Sequence, residues 1–309
     1  MMWSGKRYHT LNYHLRAQFG EKVMKISLDG GFSCPNRDGS ISREGCIFCS
    51  ERGSGDFAGS RRLTITDQFD QVRDHMTEKW AKGKFIAYFQ AFTNTYDTVE
   101  SLKRKYDEAV AQPGVVGLAI ATRPDCLNED IVKLIADYAK ECFVWVELGL
   151  QTASDVTAEL INRGYQTWAY EEAIALLRQY DIDVVTHIIF GLPGETKKDM
   201  LTTVDFVRNQ GSQGVKFHLL HLMKNTPMEK LYDEGKLEFM SKEDYIDVIC
   251  ESIGLLEPNM VVHRLTGDAP RELLIGPMWS LNKWEILNTI DSELERRNIT
   301  QGSLLEETK

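Results

Sequence analysis

The sequence predicts an α/β fold: an open parallel (β/α)6 partial TIM barrel carrying a small C-terminal extension of helices and one strand. Three observations predict it. Six short apolar runs alternate with helical segments at spacings of roughly 27 to 60 residues, the rhythm of parallel strands joined by crossover helices. Nothing resembling a hairpin stands between them. The segments richest in cysteine, glycine and polar side chains each follow directly on a strand, and in a barrel those positions share the C-terminal mouth where sites are built. A doubly wound open sheet is the alternative topology. The 309 residues suit one barrel-sized domain better than two independent ones.

Residues 1–22 form a basic N-terminal arm, in which Lys6, Arg7, His9, His14 and Arg16 are interleaved with Tyr8 and Tyr13. Such a segment can meet phosphates, or can be a solvated arm. Residues 23–28 alternate apolar and polar like a strand and end at Gly30-Gly31, where a loop covering 29–60 begins. Residues 67–80 read as a helix with Phe69, Val72, His75, Met76 and Trp80 largely on one face and Gly83 as its stop. An apolar strand at 84–90 is followed by a helix at 97–111 and a third strand at 115–121, closed by Thr122-Arg123-Pro124-Asp125. Asn128 caps the next helix, and a strand at 143–148 runs into Gly149-Leu150-Gln151. A helical region at 154–180 breaks near Gly164; the fifth strand, 183–190, ends at Gly191-Leu192-Pro193-Gly194-Glu195. A helix at 200–209 and a sixth strand at 215–221 complete a core spanning 23–226. From Pro227 the extension, 227–309, reads as helices at 229–234 and 242–256, a short strand at 260–265, a glycine- and proline-marked segment at 267–277, a last helix at 283–297 and a frayed tail from Gly302.

The composition, 42% hydrophobic and 27% charged, is that of an ordinary globular protein. No run of eighteen apolar residues occurs and the start lacks the apolar core of a signal peptide, so no membrane and a cytoplasmic address are expected. Acidic residues outnumber basic ones by 46 to 36, a net charge of −10 that excludes indiscriminate gripping of nucleic acid while leaving room for a local basic groove. Six cysteines, three of them scattered at Cys126, Cys142 and Cys250, do not make the disulfide framework of a small secreted domain. Cys142 and Cys250 lie in apolar patterns and read as core.

The other three cysteines carry the chemistry. Cys34 is separated by eleven residues from Cys46, which is separated by two from Cys49, in a loop marked by Pro35, Gly39 and Gly45. Thiolates so spaced can converge on one metal centre. A closed structural zinc site wants four ligands, whereas an iron-sulfur cluster held by three leaves one iron open. A zinc knuckle completed by His9 or His14, and a redox pair at Cys46 and Cys49, are the plainer alternatives.

With Phe48 before the last cysteine, and with Phe89-Gln90-Ala91-Phe92-Thr93-Asn94-Thr95-Tyr96, Ala121-Thr122-Arg123-Pro124-Asp125, Glu147-Leu148-Gly149-Leu150-Gln151, Ile161-Asn162-Arg163-Gly164 and Arg264-Leu265-Thr266-Gly267-Asp268-Ala269-Pro270-Arg271, nearly the whole chain resembles the radical S-adenosylmethionine (SAM) enzymes. The wide first spacing, eleven residues instead of the commoner three, is similar to the YhcC/YtqA-type subgroup allied to the elongator catalytic subunit and the oxygen-independent coproporphyrinogen oxidases. The resemblance implies a partial barrel of the radical SAM type and a 4Fe-4S cluster on Cys34, Cys46 and Cys49, with SAM on the open iron. One electron into the sulfonium then yields a radical that abstracts an unactivated hydrogen. It implies Gln151 and Arg163 as SAM contacts, with Arg163 suited to a carboxylate. Gln90, Thr122 and His187 fall on the same binding surface, although Thr122 and His187 stand where relatives carry acidic residues. It implies Gly191 as a close backbone approach to adenine. An electron donor such as flavodoxin or ferredoxin is expected.

The subgroup further points to transfer RNA as partner, as a MnmL-type enzyme converting 5-carboxymethylaminomethyl-uridine to 5-aminomethyl-uridine at the wobble position, with or without the 2-thio group. Hydrogen abstraction beside the amine, oxidation to an imine and hydrolysis would release a carbonyl fragment such as glyoxylate. Tyr96, His218, His221, Asp268 and Arg271 are the expected substrate contacts. Another radical SAM reaction on RNA or a small molecule, and a zinc-stabilised barrel that binds RNA or a partner without catalysis, are the competing readings. Cys126, Cys142 and Cys250 lack the clustered spacing that a second cluster for sulfur insertion needs.

Overall fold

Seven parallel strands make one curved, open sheet in this computed structural model, which describes residues 2–53, 55–77 and 83–305. They are β1 (Val23–Leu28), β2 (Lys84–Phe89), β3 (Val115–Thr122), β4 (Phe143–Gln151), β5 (Asp183–Phe190) and β6 (Gly214–Leu219), followed after the short β7 (Leu222–Met223) by β8 (Val261–Arg264). Sheet order follows chain order through β6, and β8 then pairs with β6. The partial barrel of the sequence reading is therefore present with one strand more: the short run expected in the C-terminal extension completes the sheet. A separate antiparallel pair, β7 with β9 (Leu274–Gly276), lies apart from the main sheet.

Side chains alternate across each strand, so one set packs outward under helices and the other faces the interior. The outward set, including Ile26, Leu28, Phe89, Leu118, Val146, Leu148, Phe190 and Phe217, joins a large buried core. The interior set is smaller and mixed: Ile86, Tyr88, Ala119, Ala121, Trp145 and Val185 form a second cluster. On β3 that interior row is alanine, which leaves space above it. Helix Ile65–Thr77 buries Phe69 and packs Val72 against the outer core. The rest of the helix expected at 67–80, with Trp80 and the side chains of His75 and Met76, lies outside the described residues.

The basic N-terminal arm is a packed element. Trp3, Tyr8 and Leu15 are buried, and helix Leu11–Phe19 sits between β1 and β8, the two unjoined edges of the sheet. Thr10 bridges Val262, whose amide donates to His9 O at 2.7 Å. From the other end of the chain, Gln301 N donates to Arg7 O at 2.9 Å, the Gln301 carboxamide oxygen accepts from His9 N at 2.7 Å, and Lys6 pairs with Asp291. The tail expected to fray from Gly302 stays bonded through Leu304, whose amide donates to Gly254 O at 2.9 Å. Among the described residues no helix is long and apolar enough to cross a membrane.

Candidate active site

A cavity of about 530 Å³ opens at the C-terminal ends of the strands and reaches down between them. Its upper wall is the loop after β1. Cys34 caps the short helix Pro35–Asp38, whose Arg37 and Asp38 amides donate back to Cys34 O at 2.8 and 3.0 Å. Gly45, at φ +74°, turns the chain beside Arg37, and Cys49 N closes onto Cys46 O at 3.0 Å. The loop is pinned to the segment after β4: Ile47 N donates to Ile161 O at 3.1 Å, and Asn162 Nδ2 to Gly45 O at 2.7 Å. Asn36 Nδ2 bonds Asn162 O at 2.7 Å and lies 3.7 Å from Cys46 Sγ, while its buried Oδ1 has no partner.

Cys34, Cys46 and Cys49 all line this wall. Burial pushes the Cys46 thiol up to about 12, and the neighbouring Cys49 and Cys34 push it the same way. Among the described residues no three histidine, cysteine or carboxylate side chains are gathered as for a single ion. Three soft thiols facing one space, with Arg123 close enough to favour the thiolate of Cys46, are a donor set that fits a polynuclear iron-sulfur group.

The wall also carries Gln90, Thr122, Gln151, His187, His218, His221 and Asp268. Gln151 stands at a break in the β4–β5 register with φ +64°, a conformation a non-glycine residue rarely holds. Its Oε1 accepts from the Tyr165 hydroxyl at 3.1 Å, and the Tyr165 ring lies 4.7 and 4.5 Å from the Arg123 and Arg163 guanidiniums. The Thr122 hydroxyl meets that of Thr95 at 2.6 Å.

Four of the expected residues stand off the wall. Arg163 is fully buried and its donors are taken: Leu150 O and Thr152 O at 2.7 Å, Tyr165 O at 2.9 Å, and Asp155 and Thr167 at 3.2 Å. It clamps the backbone after β4 instead of reaching a ligand. Gly191 and its turn line a separate pocket with Leu237 and Met240. Tyr96 bonds Ser40 in the cysteine loop at 2.9 Å, and Arg271 is exposed.

The floor holds what the sequence reading missed. Glu147 on β4 is wholly buried and accepts from Trp145 Nε1 at 3.0 Å, Tyr88 OH at 2.6 Å, His187 Nε2 at 2.8 Å and Lys216 Nζ at 2.5 Å. Burial would raise this carboxyl, but Lys216, Lys25 and His187 together hold it well below its ordinary range. Burial lowers the Lys216 ammonium to about 7 against the attraction of Glu147, with Lys25 and Arg264 adding to the fall. Burial also takes His187 and His221 down to about 4 and His218 well below its usual value, so these rings are neutral at pH 7. Nearer the mouth, Asp268 accepts from Arg264 at 2.9 Å and from Lys283 at 2.7 Å. A signal for the floor existed: Lys25, Glu147 and Lys216 are single charges inside apolar strands of a parallel sheet, where both faces are covered.

Comparison with known proteins agrees with this architecture. A family model described as the Radical SAM superfamily matches residues 38–207, and one described as Radical_SAM C-terminal domain matches 212–296. The chain is 53% identical to the uncharacterized protein YtqA of Bacillus subtilis over 301 residues, covering 97% of this chain and 94% of that one. It is 28% identical over 163 residues to a tRNA uridine(34) acetyltransferase of Dehalococcoides mccartyi, covering 52% of this chain and 35% of that protein. The archaeal Methanocaldococcus infernus Elp3 structure shares the fold, with a TM-score of 0.66 at 15% identity over 90% of this chain and 64% of that one.

Proposed function

The chain belongs to the radical SAM superfamily, in its YhcC/YtqA-type subgroup, and on that footing we propose that it is an enzyme modifying the wobble uridine of transfer RNA. Cys34, Cys46 and Cys49 would hold a 4Fe-4S cluster with SAM on its open iron. When bound and reduced, that pair supplies one-electron cleavage of SAM and abstraction of a substrate hydrogen. The observation that carries the reading is the convergence of all three thiols on one wall of a deep, polar-floored cavity.

The chain's own residues position and enclose. Asn36 sets Cys46, and Arg37 donates to Cys49 O at 2.7 Å. Gln90, Thr122 and Gln151 offer a polar wall for SAM, with Tyr165 holding Gln151. His187, His218 and His221 face the substrate, walled off from solvent by the strands, and Asp268 stands nearer the mouth. Support for the wobble position comes from the uridine(34) activity in the name of the Dehalococcoides relative. The reaction we propose converts 5-carboxymethylaminomethyl-uridine, with or without 2-thio, to the 5-aminomethyl form.

The test is mass-spectrometric detection of 5′-deoxyadenosine from anaerobically reconstituted protein, SAM and dithionite, with and without tRNA from a strain lacking this gene. Cleavage that tRNA stimulates, with loss of the carboxymethylaminomethyl nucleoside and appearance of glyoxylate, is expected. Cleavage with tRNA untouched would overturn the substrate; no cleavage, with zinc as the only metal, would overturn the chemistry.

A further inference from the structure

Glu147 can accept about four hydrogen bonds, and Tyr88, Trp145, His187 and Lys216 already supply four. Three of these fall on Oε2, and Trp145 alone reaches Oε1. The Lys25 ammonium, 4.8 Å from the centroid of the Tyr88 ring, has no hydrogen-bonding partner among the described residues. Lys216, 4.7 Å from the same centroid, gives two of its three protons to Tyr88 OH and Glu147 and keeps one. Above them Arg264 and Lys283 share the single carboxylate of Asp268. The neighbouring rings of His187 and His218 are neutral, and the His218 Nε2 is buried without a partner. The floor thus keeps a spare Lys216 proton, and the side chains around it carry more cation than anion, in a chain whose overall charge is −10.

We propose that the floor of the cavity, through Lys216 and the unpartnered His218 ring, is a subsite for a carboxylate on the substrate. A carboxylate is acceptor-only and anionic, the complement of what Lys216 and His218 leave over. Glu147 takes no part in that contact; it orients Lys216 and Tyr88. The assignment rests on the cavity being where substrate is modified, and it makes the carboxylate end of the uridine side chain the part that enters deepest.

The experiment is isothermal titration of the full chain, without SAM, with two free nucleosides: 5-carboxymethylaminomethyl-uridine and 5-aminomethyl-uridine, which lacks the carboxylate. Wild type should bind the first about tenfold or more tightly. Lys216→Met should remove most of that preference while leaving the affinity for the second nucleoside within about twofold; His218→Leu should reduce the preference as well. Equal affinities in wild type, no binding of either nucleoside, or an unchanged preference in both variants overturns the assignment. Competitive displacement of the carboxylate nucleoside by SAM overturns it too, since the floor would then hold the amino-acid end of SAM. If the preference holds and transfer RNA is not a substrate, the subsite stands and the RNA reading falls.

Discussion

The cysteine loop is shaped by its main chain, whereas the floor beneath it is shaped by its side chains. In the loop, amides of Arg37, Asp38, Ile47 and Cys49 find carbonyls, and the thiols contribute nothing to those bonds. On the floor, four side chains from four strands converge on one carboxylate. The difference separates what each region can lose. A thiol can be removed and the loop keeps its shape; a floor residue removed leaves charges stranded in the interior.

Four substitutions or conditions sharpen or break that contrast. The largest effect is on function: Cys46→Ala should abolish iron binding and 5′-deoxyadenosine formation while moving the melting midpoint of the metal-free protein by about 2 °C or less. Iron analysis and a thermal melt check this, and a large fall in midpoint would break the contrast. Next, Glu147→Ala should lower stability by about 3–5 kcal/mol in urea unfolding, because Lys216 and Lys25 lose their only carboxylate. Replacing Glu147 and Lys216 together by leucine and methionine should recover much of the loss; no recovery would mean that the shape of the network matters more than its charge.

Arg163→Lys is the third. A single ammonium cannot span the carbonyls that the guanidinium reaches, so a loss of about 2–3 kcal/mol is expected. An arginine serving a ligand alone would leave urea unfolding unmoved. The fourth is pH. The folded values of His187 and His221, about 4, lie below the ordinary 6.5, so between those limits the unfolded chain binds more protons than the folded one. Stability is then full above pH 6.5 and falls as pH drops toward 4, by roughly 2 kcal/mol per ring. Urea unfolding at pH 7 and pH 4.5 measures the slope, and His221→Gln should flatten it.

The same contrast explains what could be read from the chain alone. The strands were legible as apolar runs, and the cysteine loop as a local motif whose members lie within sixteen residues of one another. The floor was not, because its members are far apart in sequence: Tyr88 and Lys216 lie 59 and 69 residues from Glu147, and only the curvature of the sheet brings them together. Arg163 shows a second limit. Its spacing from Gln151 is the same whether it meets a ligand or the carbonyls of Leu150 and Thr152, and only the folded backbone decides. Gly191 lines a neighbouring pocket, which its place after a strand did not reveal, because a turn can face either side of the strand it follows. The seventh strand was visible as a short apolar run but carried no mark of its partner, β6.

The joining of Thr10 to Val262 and of Arg7 to Gln301 has a consequence for the order of events at birth. Residues 7–10 must wait for residues 262–301 before they can find their place, and contacts of such long sequence separation form slowly. Until then β1 is an uncovered edge, the kind that invites pairing with another chain. A chain released early, anywhere before residue 261, would carry the thiol loop and most of the floor yet keep its side open. Its instability would betray a missing seam, and not a missing site.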